Sequence, residues 1–189
     1  MTKLVLAMFI SLDGYIEGPG GEFIPPAWSG DLEQHWSGDN LARAGRLLYG
    51  RANFVFNRDF WSDPNGPAAG MPSAATMNAL PKSVVSRTLN GDPGWNGSVI
   101  SDDLPSALGR VKAQMTRGDL MSFGGARLAQ SLIGLDLVDE YKLMVVPMLF
   151  GGGRRLFAEG APRHSLELID SRPLDTGAII LRYQRDRKA

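Results

Sequence analysis

The chain has 189 residues, of which 20 are basic, 20 are acidic and none is cysteine. This length predicts a single domain over residues 1–189, and the lack of cysteine excludes disulfides, thiolate metal sites and a cysteine nucleophile. The balanced charge provides no field that would favour nucleic acid, and no apolar run approaches the ~18 residues of a membrane span. Neither nucleic acid nor a membrane is therefore an expected partner.

The first predicted element is a strand from Leu4 to Ile10, a continuous apolar run typical of a strand buried on both faces. The run is short and is followed by acidic residues without a cleavage site, so we expect a cytoplasmic protein. Glycines and prolines then predict a loop to about Trp28, of the length that lids and binding loops have. A helix is predicted from Asp31 to about Ala44, with Asp31 as a candidate N-cap.

The later elements continue this alternation of strands and helices. They are a strand over 46–49, a loosely helical stretch to residue 61, a loop over 63–81, a strand over 83–86, a helix over 104–115, a strand over 120–123, a helix around 128–133, a strand over 141–146, and a closing antiparallel pair over 164–169 and 178–183. This order predicts an α/β sandwich with an antiparallel end. The basic tail that ends at Lys188 is expected to fray.

Two adjacent glycines, Gly124 and Gly125, lie between a predicted strand and the helix that follows it. Glycine permits a sharp turn and the close approach of a ligand, and the free N–H groups at the start of a helix suit a pyrophosphate. The same glycines also fit a tight strand-to-helix turn with no ligand. The chain lacks a GxGxxG fingerprint after its first strand, which argues against a Rossmann domain.

An arginine follows a predicted buried strand at two other places, as Gly50-Arg51 and as Ser86-Arg87. Ligands of open α/β sheets bind at the carboxyl ends of the strands, and the planar donor fork of arginine matches phosphate. Two arginines that converge on a 2′-phosphate would explain a preference for NADPH over NADH. Either arginine alone also fits a solvated residue at the end of a strand.

Several motifs occur together in a characteristic order. They are Ser11-Leu12-Asp13-Gly14-Tyr15-Ile16, Lys82-Ser83-Val84-Val85-Ser86-Arg87-Thr88-Leu89, Gly124-Gly125-Ala126-Arg127-Leu128, and Pro147 with Gly151 to Gly153. This set resembles the C-terminal reductase domain of riboflavin biosynthesis over roughly residues 4 to 185. The resemblance implies a dihydrofolate-reductase-like fold, a three-layer α/β sandwich with a mainly parallel central sheet. It also implies NADPH as the hydride donor and commonly a homodimer.

The resemblance assigns the glycine turn and the start of its helix to the pyrophosphate, and the two arginine turns to the adenosine phosphate. The residues that it places at the cofactor are Gly50, Arg51, Asn53, Ser86, Arg87, Gly124, Gly125, Ala126, Arg127 and Leu128. The family usually has Thr or Ser at the position of Asn53, although an amide can still donate a hydrogen bond. No cysteine is present to build a deaminase zinc site, so the resemblance is to a stand-alone reductase domain without a metal.

Reduction of a pterin or pyrimidine also needs a carboxylate near the ring nitrogens, to orient the substrate and assist protonation. Dihydrofolate reductases have this acid at the start of the helix after the long loop, and Trp28 followed by Asp31 resembles that arrangement. Asp31 is the first candidate and Glu33 the second, with Asp13 in the loop beside the nicotinamide. Trp28 and Gly14 are candidate substrate contacts. Asp31 fits a plain helix N-cap equally well.

The residues leave three functions open. The first is an NADPH-dependent reductase of a small heteroaromatic, either a pterin or a pyrimidine precursor of riboflavin. The second keeps the cofactor but reduces an unrelated small carbonyl or imine. The third is a dimeric NADP-binding protein that has lost turnover.

Overall fold

The alternating apolar runs and helical spacings produce alternating strands and helices, which a computed structural model describes for residues 2–186. The strands are β1 (Leu4–Ser11), β2 (Tyr15–Glu17), β3 (Ala44–Gly50), β4 (Lys82–Val85), β5 (Gly97–Ile100), β6 (Asp119–Phe123), β7 (Glu140–Val146), β8 (Arg154–Arg155), β9 (Leu166–Pro173) and β10 (Ile179–Arg185). The helices are α1 (Gly30–Leu32), a π-helical turn (Glu33–Gly38), α2 (Asp39–Arg43), α3 (Arg51–Ser62), α4 (Ala74–Ala79), α5 (Leu104–Gln114) and α6 (Ala126–Gly134). The tail expected to fray from Arg185 to Lys188 needs correction at its start, because Arg185 is the last residue of β10, and Arg187 and Lys188 lie outside the described residues.

Within residues 2–186, eight strands form one sheet in the order β5-β4-β3-β6-β1-β7-β10-β9. The pairings from β5 to β7 are parallel, and β10 and β9 add an antiparallel end. The first strand is buried on both faces, as its unbroken apolar run predicts. The structure therefore confirms an α/β fold with a mainly parallel sheet and an antiparallel C-terminal end.

The sheet is the middle of three layers because the chain first adds strands towards one edge of the sheet and then returns to add strands towards the other edge. From β1 the chain moves through β3 and β4 to β5, and the apolar side chains of α1 to α4 pack on one face. From β5 it returns to β6 and crosses to β7, with α5 and α6 packed on the other face. Parallel crossovers are right-handed, so a reversal of direction moves the connecting helices to the opposite face.

Several local expectations need correction. The helix after the long loop is capped by Ser29, whose hydroxyl accepts a hydrogen bond from the Leu32 N–H at 3.1 Å, so the expectation of an Asp31 N-cap is wrong. Ser29 is the residue just outside the helix, whereas Asp31 lies inside its first turn. The stretch expected as a loop over 63–81 contains the short helix α4. The strand β5 and the small β2–β8 pair were not expected, because their local signals are short and rich in glycine.

Charged side chains tie the strands together at the amino ends of β1, β6 and β7. Glu140 is fully buried and accepts hydrogen bonds from Arg43 at 2.7 Å and from Arg182 at 2.9 Å. Arg43 also donates to Asp119 at 2.7 Å. Among the described residues, no helix is both long and apolar enough to cross a bilayer.

Candidate functional site

The three segments expected to bind a cofactor lie at the carboxyl ends of three neighbouring strands. The adjacent strands β4, β3 and β6 are parallel, so Ser86-Arg87, Gly50-Arg51 and Gly124-Gly125 leave the same edge of the sheet. From β3 the chain enters α3 on one face, whereas from β6 it enters α6 on the other. Neighbouring strands whose connections diverge in this way leave a crevice, which is where open α/β sheets bind ligands.

The glycine turn at the end of β6 has a left-handed backbone and packs closely against Asn53. Gly124 has φ +72° and Gly125 has φ +84°, a left-handed conformation that side chains with a Cβ rarely adopt. A Cβ at either position would lie 3.3 Å from an atom of Asn53. Gly125 is the N-cap of α6 and provides no side-chain acceptor for the first N–H groups of the helix. These N–H groups can therefore bind an anion.

Asn53 lies against the glycine turn from the first turn of α3. Its Nδ2 donates to the carbonyl of Phe123, the last residue of β6, at 2.5 Å. Its Oδ1 accepts from Nδ2 of Asn57 at 3.1 Å. The amide expected to contact the cofactor is thus engaged within the protein, and no feature of the sequence had indicated Asn57.

Three arginines surround the crevice with free guanidinium groups. Arg51, Arg87 and Arg127 are exposed, and across the described chain their side chains make no hydrogen bond or ion pair. Ser86 is buried, and its hydroxyl accepts from the N–H groups of residues 88 and 89, so it shapes the turn that carries Arg87. Unpaired cations at a strand edge suit a phosphate-bearing ligand.

Gly50 and Leu128 fix the distance between β3 and α6. A Cβ at Gly50 would lie 3.6 Å from the Cβ of Leu128, and Leu128 is buried in the core. Ala126, the first residue of α6, is buried as well. The structure therefore places both Leu128 and Ala126 beneath the glycine turn, where they support it.

Asp13 ties the first loop to the loop after β7. One carboxylate oxygen accepts from the Ser11 hydroxyl at 2.6 Å and the Phe150 N–H at 3.1 Å, and the other accepts from the Gly151 N–H at 2.8 Å. The Ser11 hydroxyl and these N–H groups lower the pKa of Asp13 to about 2. Gly14 beside it has φ +88°, and a Cβ there would meet the Arg155 guanidinium at 3.3 Å.

Asp31 and Glu33 point to different neighbours although they share one helical segment. Asp31 accepts from the Asp175 N–H at 3.0 Å, and its other oxygen lies 3.5 Å from Nε2 of His35. Glu33 accepts from the N–H of Ser73 at 3.1 Å and also from its hydroxyl. The second oxygen of Glu33 is buried with no hydrogen-bond partner among residues 2–186.

An aromatic wall lies between the long loop and α3. Phe9 at the end of β1 lies 4.8 Å from Trp36 and 6.1 Å from Phe23, measured between ring centroids. Phe23 in turn lies 6.3 Å from Phe56 of α3, and both of these rings are about half exposed. None of the three phenylalanines was a candidate in the sequence analysis, although an aromatic residue within a loop rich in glycine and proline could have indicated Phe23.

The fold defines an α/β protein of the dihydrofolate-reductase-like class, with a crevice at the carboxyl edge of its sheet. The profile of the RibD C-terminal domain matches residues 2–180. The chain therefore belongs to the RibD C-terminal domain family, and this membership supports a reductase-type function.

Individual relatives agree with this assignment. The uncharacterized protein YyaP of Bacillus subtilis (strain 168) is 27% identical over 181 residues, which cover 96% of this chain and 94% of that protein. A putative riboflavin biosynthesis protein from Shewanella sp. PV-4 superposes with a TM-score of 0.75 at 22% identity, covering 98% and 100% of the two chains. Dihydrofolate reductase from Enterococcus faecalis, solved with NADP(H), has a TM-score of 0.65 at 14% identity, with 97% and 96% covered. These two structures share the fold of this chain.

Proposed function

We propose that this protein is an NADPH-dependent reductase of a small heteroaromatic substrate, either a pterin or a pyrimidine precursor of riboflavin. One observation carries the proposal: a glycine turn and two arginine turns converge at the carboxyl ends of three adjacent parallel strands. The substrate class follows from the relatives, of which one is a dihydrofolate reductase and another is described as a riboflavin biosynthesis protein. We also propose the cytoplasm as its location, since NADPH is available there.

The residues of the crevice fit the parts of NADPH. Free N–H groups at the start of α6 would bind the diphosphate, because Gly125, the N-cap of the helix, has no side chain that could accept from them first. The guanidinium groups of Arg51 and Arg87 would bind the adenosine 2′-phosphate, and Arg127 would add positive charge beside the diphosphate. When bound, NADPH supplies the hydride, while the protein supplies placement and protonation.

The substrate would lie against the aromatic wall. Phe23 and Phe56 expose ring faces on which a planar heteroaromatic can stack, and such aromatic pairs contribute about 0.5–1.5 kcal/mol. Asp31, at the start of the helix after the long loop, would orient the ring and assist protonation. Trp28 is half exposed just before that helix and would close the pocket from the loop side.

A catalytically inactive NADP-binding protein is the second candidate, and the carboxylates favour it. Asp13 uses both oxygens to hold two loops together, and Glu33 holds Ser73. Only turnover distinguishes the candidates, because both require the same cofactor site. Oxidation of NADPH in the presence of dihydrofolate favours the reductase, whereas binding without turnover across a substrate panel favours the second candidate.

The first test of the cofactor site is a titration with NADPH and, separately, with NADH. The four tryptophans of the chain report binding through quenching of their fluorescence. We expect saturable binding with a clear preference for NADPH. Failure to bind either nucleotide would refute both the reductase and the binding-protein candidate.

We further propose that the protein is a homodimer, as the family resemblance implies. The antiparallel end supports this proposal because β9 is exposed along its whole length. Leu166, Leu168 and Ile179 expose apolar side chains there. Light scattering coupled to size exclusion should give twice the chain mass of 20.5 kDa, and a monomer at micromolar concentration would refute the dimer.

A further inference from the structure

Asn53 lies where a direct contact to the cofactor was expected, yet its side chain faces the protein. From the first turn of α3 it reaches across to β6 and donates to the carbonyl of Phe123 at 2.5 Å. It also fills the space on the inner side of the glycine turn, because a Cβ at Gly124 would lie 3.3 Å from its Nδ2 and a Cβ at Gly125 would lie 3.3 Å from its Cβ.

We infer that Asn53 is a positioning residue that holds the Gly124–Gly125 turn in its anion-binding shape. The inference rests on the proposed function, because it assumes that the turn binds the diphosphate of NADPH. It differs from the expectation that the side chain of residue 53 contacts the cofactor directly. Recognition of the adenosine 2′-phosphate then falls to Arg51 and Arg87, whose guanidinium groups are free within residues 2–186.

The orientation of the Asn53 amide is fixed by a second asparagine one turn further along α3. Nδ2 of Asn57 donates to Oδ1 of Asn53 at 3.1 Å and to its backbone carbonyl at 2.8 Å. Asn57 is itself oriented by Nε1 of Trp61, which donates to its Oδ1 at 3.2 Å. Because the acceptor of Asn53 is already engaged, its Nδ2 is the atom that faces β6.

The contact matters because the backbone of the turn is intrinsically flexible. Both glycines adopt left-handed φ values, and glycine has the largest conformational freedom to lose on ordering. A hydrogen bond to the last carbonyl of β6 fixes the point where this turn begins. An ordered turn keeps the N–H groups of α6 converged before the ligand arrives, so less binding energy is lost in ordering it.

The effect of Asn53→Ala should differ between two ligands. Binding of NADPH should weaken about tenfold, whereas binding of adenosine 2′-monophosphate should change less than about twofold. The smaller ligand carries the 2′-phosphate but has no phosphate on its 5′ side, so it does not reach the glycine turn. Asn57→Ala leaves Asn53 in place but removes its orientation, so it should give the same pattern with a smaller amplitude. Asn65→Ala, at an exposed asparagine after α3, is the matched control and should change neither affinity.

Amide hydrogen exchange provides a readout that needs no ligand. In the ligand-free protein, Asn53→Ala should accelerate exchange about tenfold at the Ala129 N–H, which donates to the Gly125 carbonyl of the turn at 3.0 Å, with the core strands unchanged. Equal loss of affinity for both ligands would overturn the inference, because it would mean that Asn53 contacts the adenosine 2′-phosphate. Unchanged exchange at the Ala129 N–H would overturn it as well. A wild-type protein that binds neither ligand would instead refute the proposed function, even if the exchange result showed that Asn53 holds the turn.

Discussion

Arg51 and Arg87 allow a direct test of the preference for NADPH over NADH, because neither guanidinium contributes to the stability of the fold. Both side chains are exposed, and neither makes a hydrogen bond or ion pair within residues 2–186. Replacing either with Ala should therefore change the free energy of unfolding by less than about 0.5 kcal/mol. Any loss of affinity then reflects the ligand and not the fold.

The size of the loss follows from the kind of bond that is removed. A hydrogen bond to a charged group contributes about 1.5–3 kcal/mol, and each 1.4 kcal/mol is roughly a factor of ten in affinity. Arg51→Ala or Arg87→Ala should thus raise the Kd of NADPH about 10- to 150-fold. The Kd of NADH should rise less than about twofold, because NADH lacks the 2′-phosphate.

Tryptophan fluorescence titrations of each variant with both nucleotides measure this difference. Arg58→Ala is the matched control, since Arg58 lies on the same helix as Arg51 but is paired with Asp59 at 2.9 Å. It should leave both affinities unchanged. If Arg51→Ala and Arg87→Ala weaken NADPH and NADH equally, the assignment of these arginines to the 2′-phosphate is wrong.

Three further predictions concern the turn, the ion cluster and the acid. Gly125→Ala should lower the free energy of unfolding by about 1–2 kcal/mol and weaken NADPH, because its φ of +84° strains any residue with a Cβ; unchanged thermal melting and titration would contradict this. Burial raises the pKa of Glu140, but the hydrogen bonds from Arg43 and Arg182 outweigh it and lower the pKa to about 2 from an ordinary 4.5. The resulting stabilisation of about 3 kcal/mol is complete above pH 4.5 and disappears as the pH falls towards 2, so urea unfolding of wild type and Glu140→Gln should converge over that interval. Asp31→Asn should leave NADPH binding intact and reduce dihydrofolate turnover at least about 100-fold; a near-normal rate would exclude Asp31 as the acid.

The parts of the fold that sequence predicted are those with a strong local signal. The first strand is an unbroken apolar run, and the glycine turn combines a strand end, two glycines and a helix start within a few residues. The same reasoning placed Arg51 and Arg87 at strand ends, and the parallel order of β3, β4 and β6 then brings them to one edge. Family resemblance supplied the order of the motifs, which local patterns alone do not contain.

The unpredicted parts depend on contacts between distant residues. Asn53 reads as a ligand contact in sequence, and only the packing of α3 against β6 shows that it faces Phe123. Glu140 lies just before the strand predicted over 141–146, and its burial is possible only because arginines from α2 and β10, distant in the chain, donate hydrogen bonds to it. Position 31 was misassigned as a cap because Ser29 and Asp31 are both common cap residues, and backbone geometry decides between them.

The three candidate carboxylates differ in how many of their oxygens remain free to bind a substrate or a proton. Asp13 accepts hydrogen bonds on both oxygens, and its pKa of about 2 makes the neutral acid scarce near pH 7. Glu33 is tied to Ser73 on one oxygen and buried on the other. Asp31 keeps one oxygen free of backbone donors, 3.5 Å from a nitrogen of His35 and only partly buried, so a proton can reach it. We therefore propose Asp31, and not Asp13, as the group that assists protonation of a substrate, and a variant of Asp31 that binds NADPH without turnover would separate catalysis from binding.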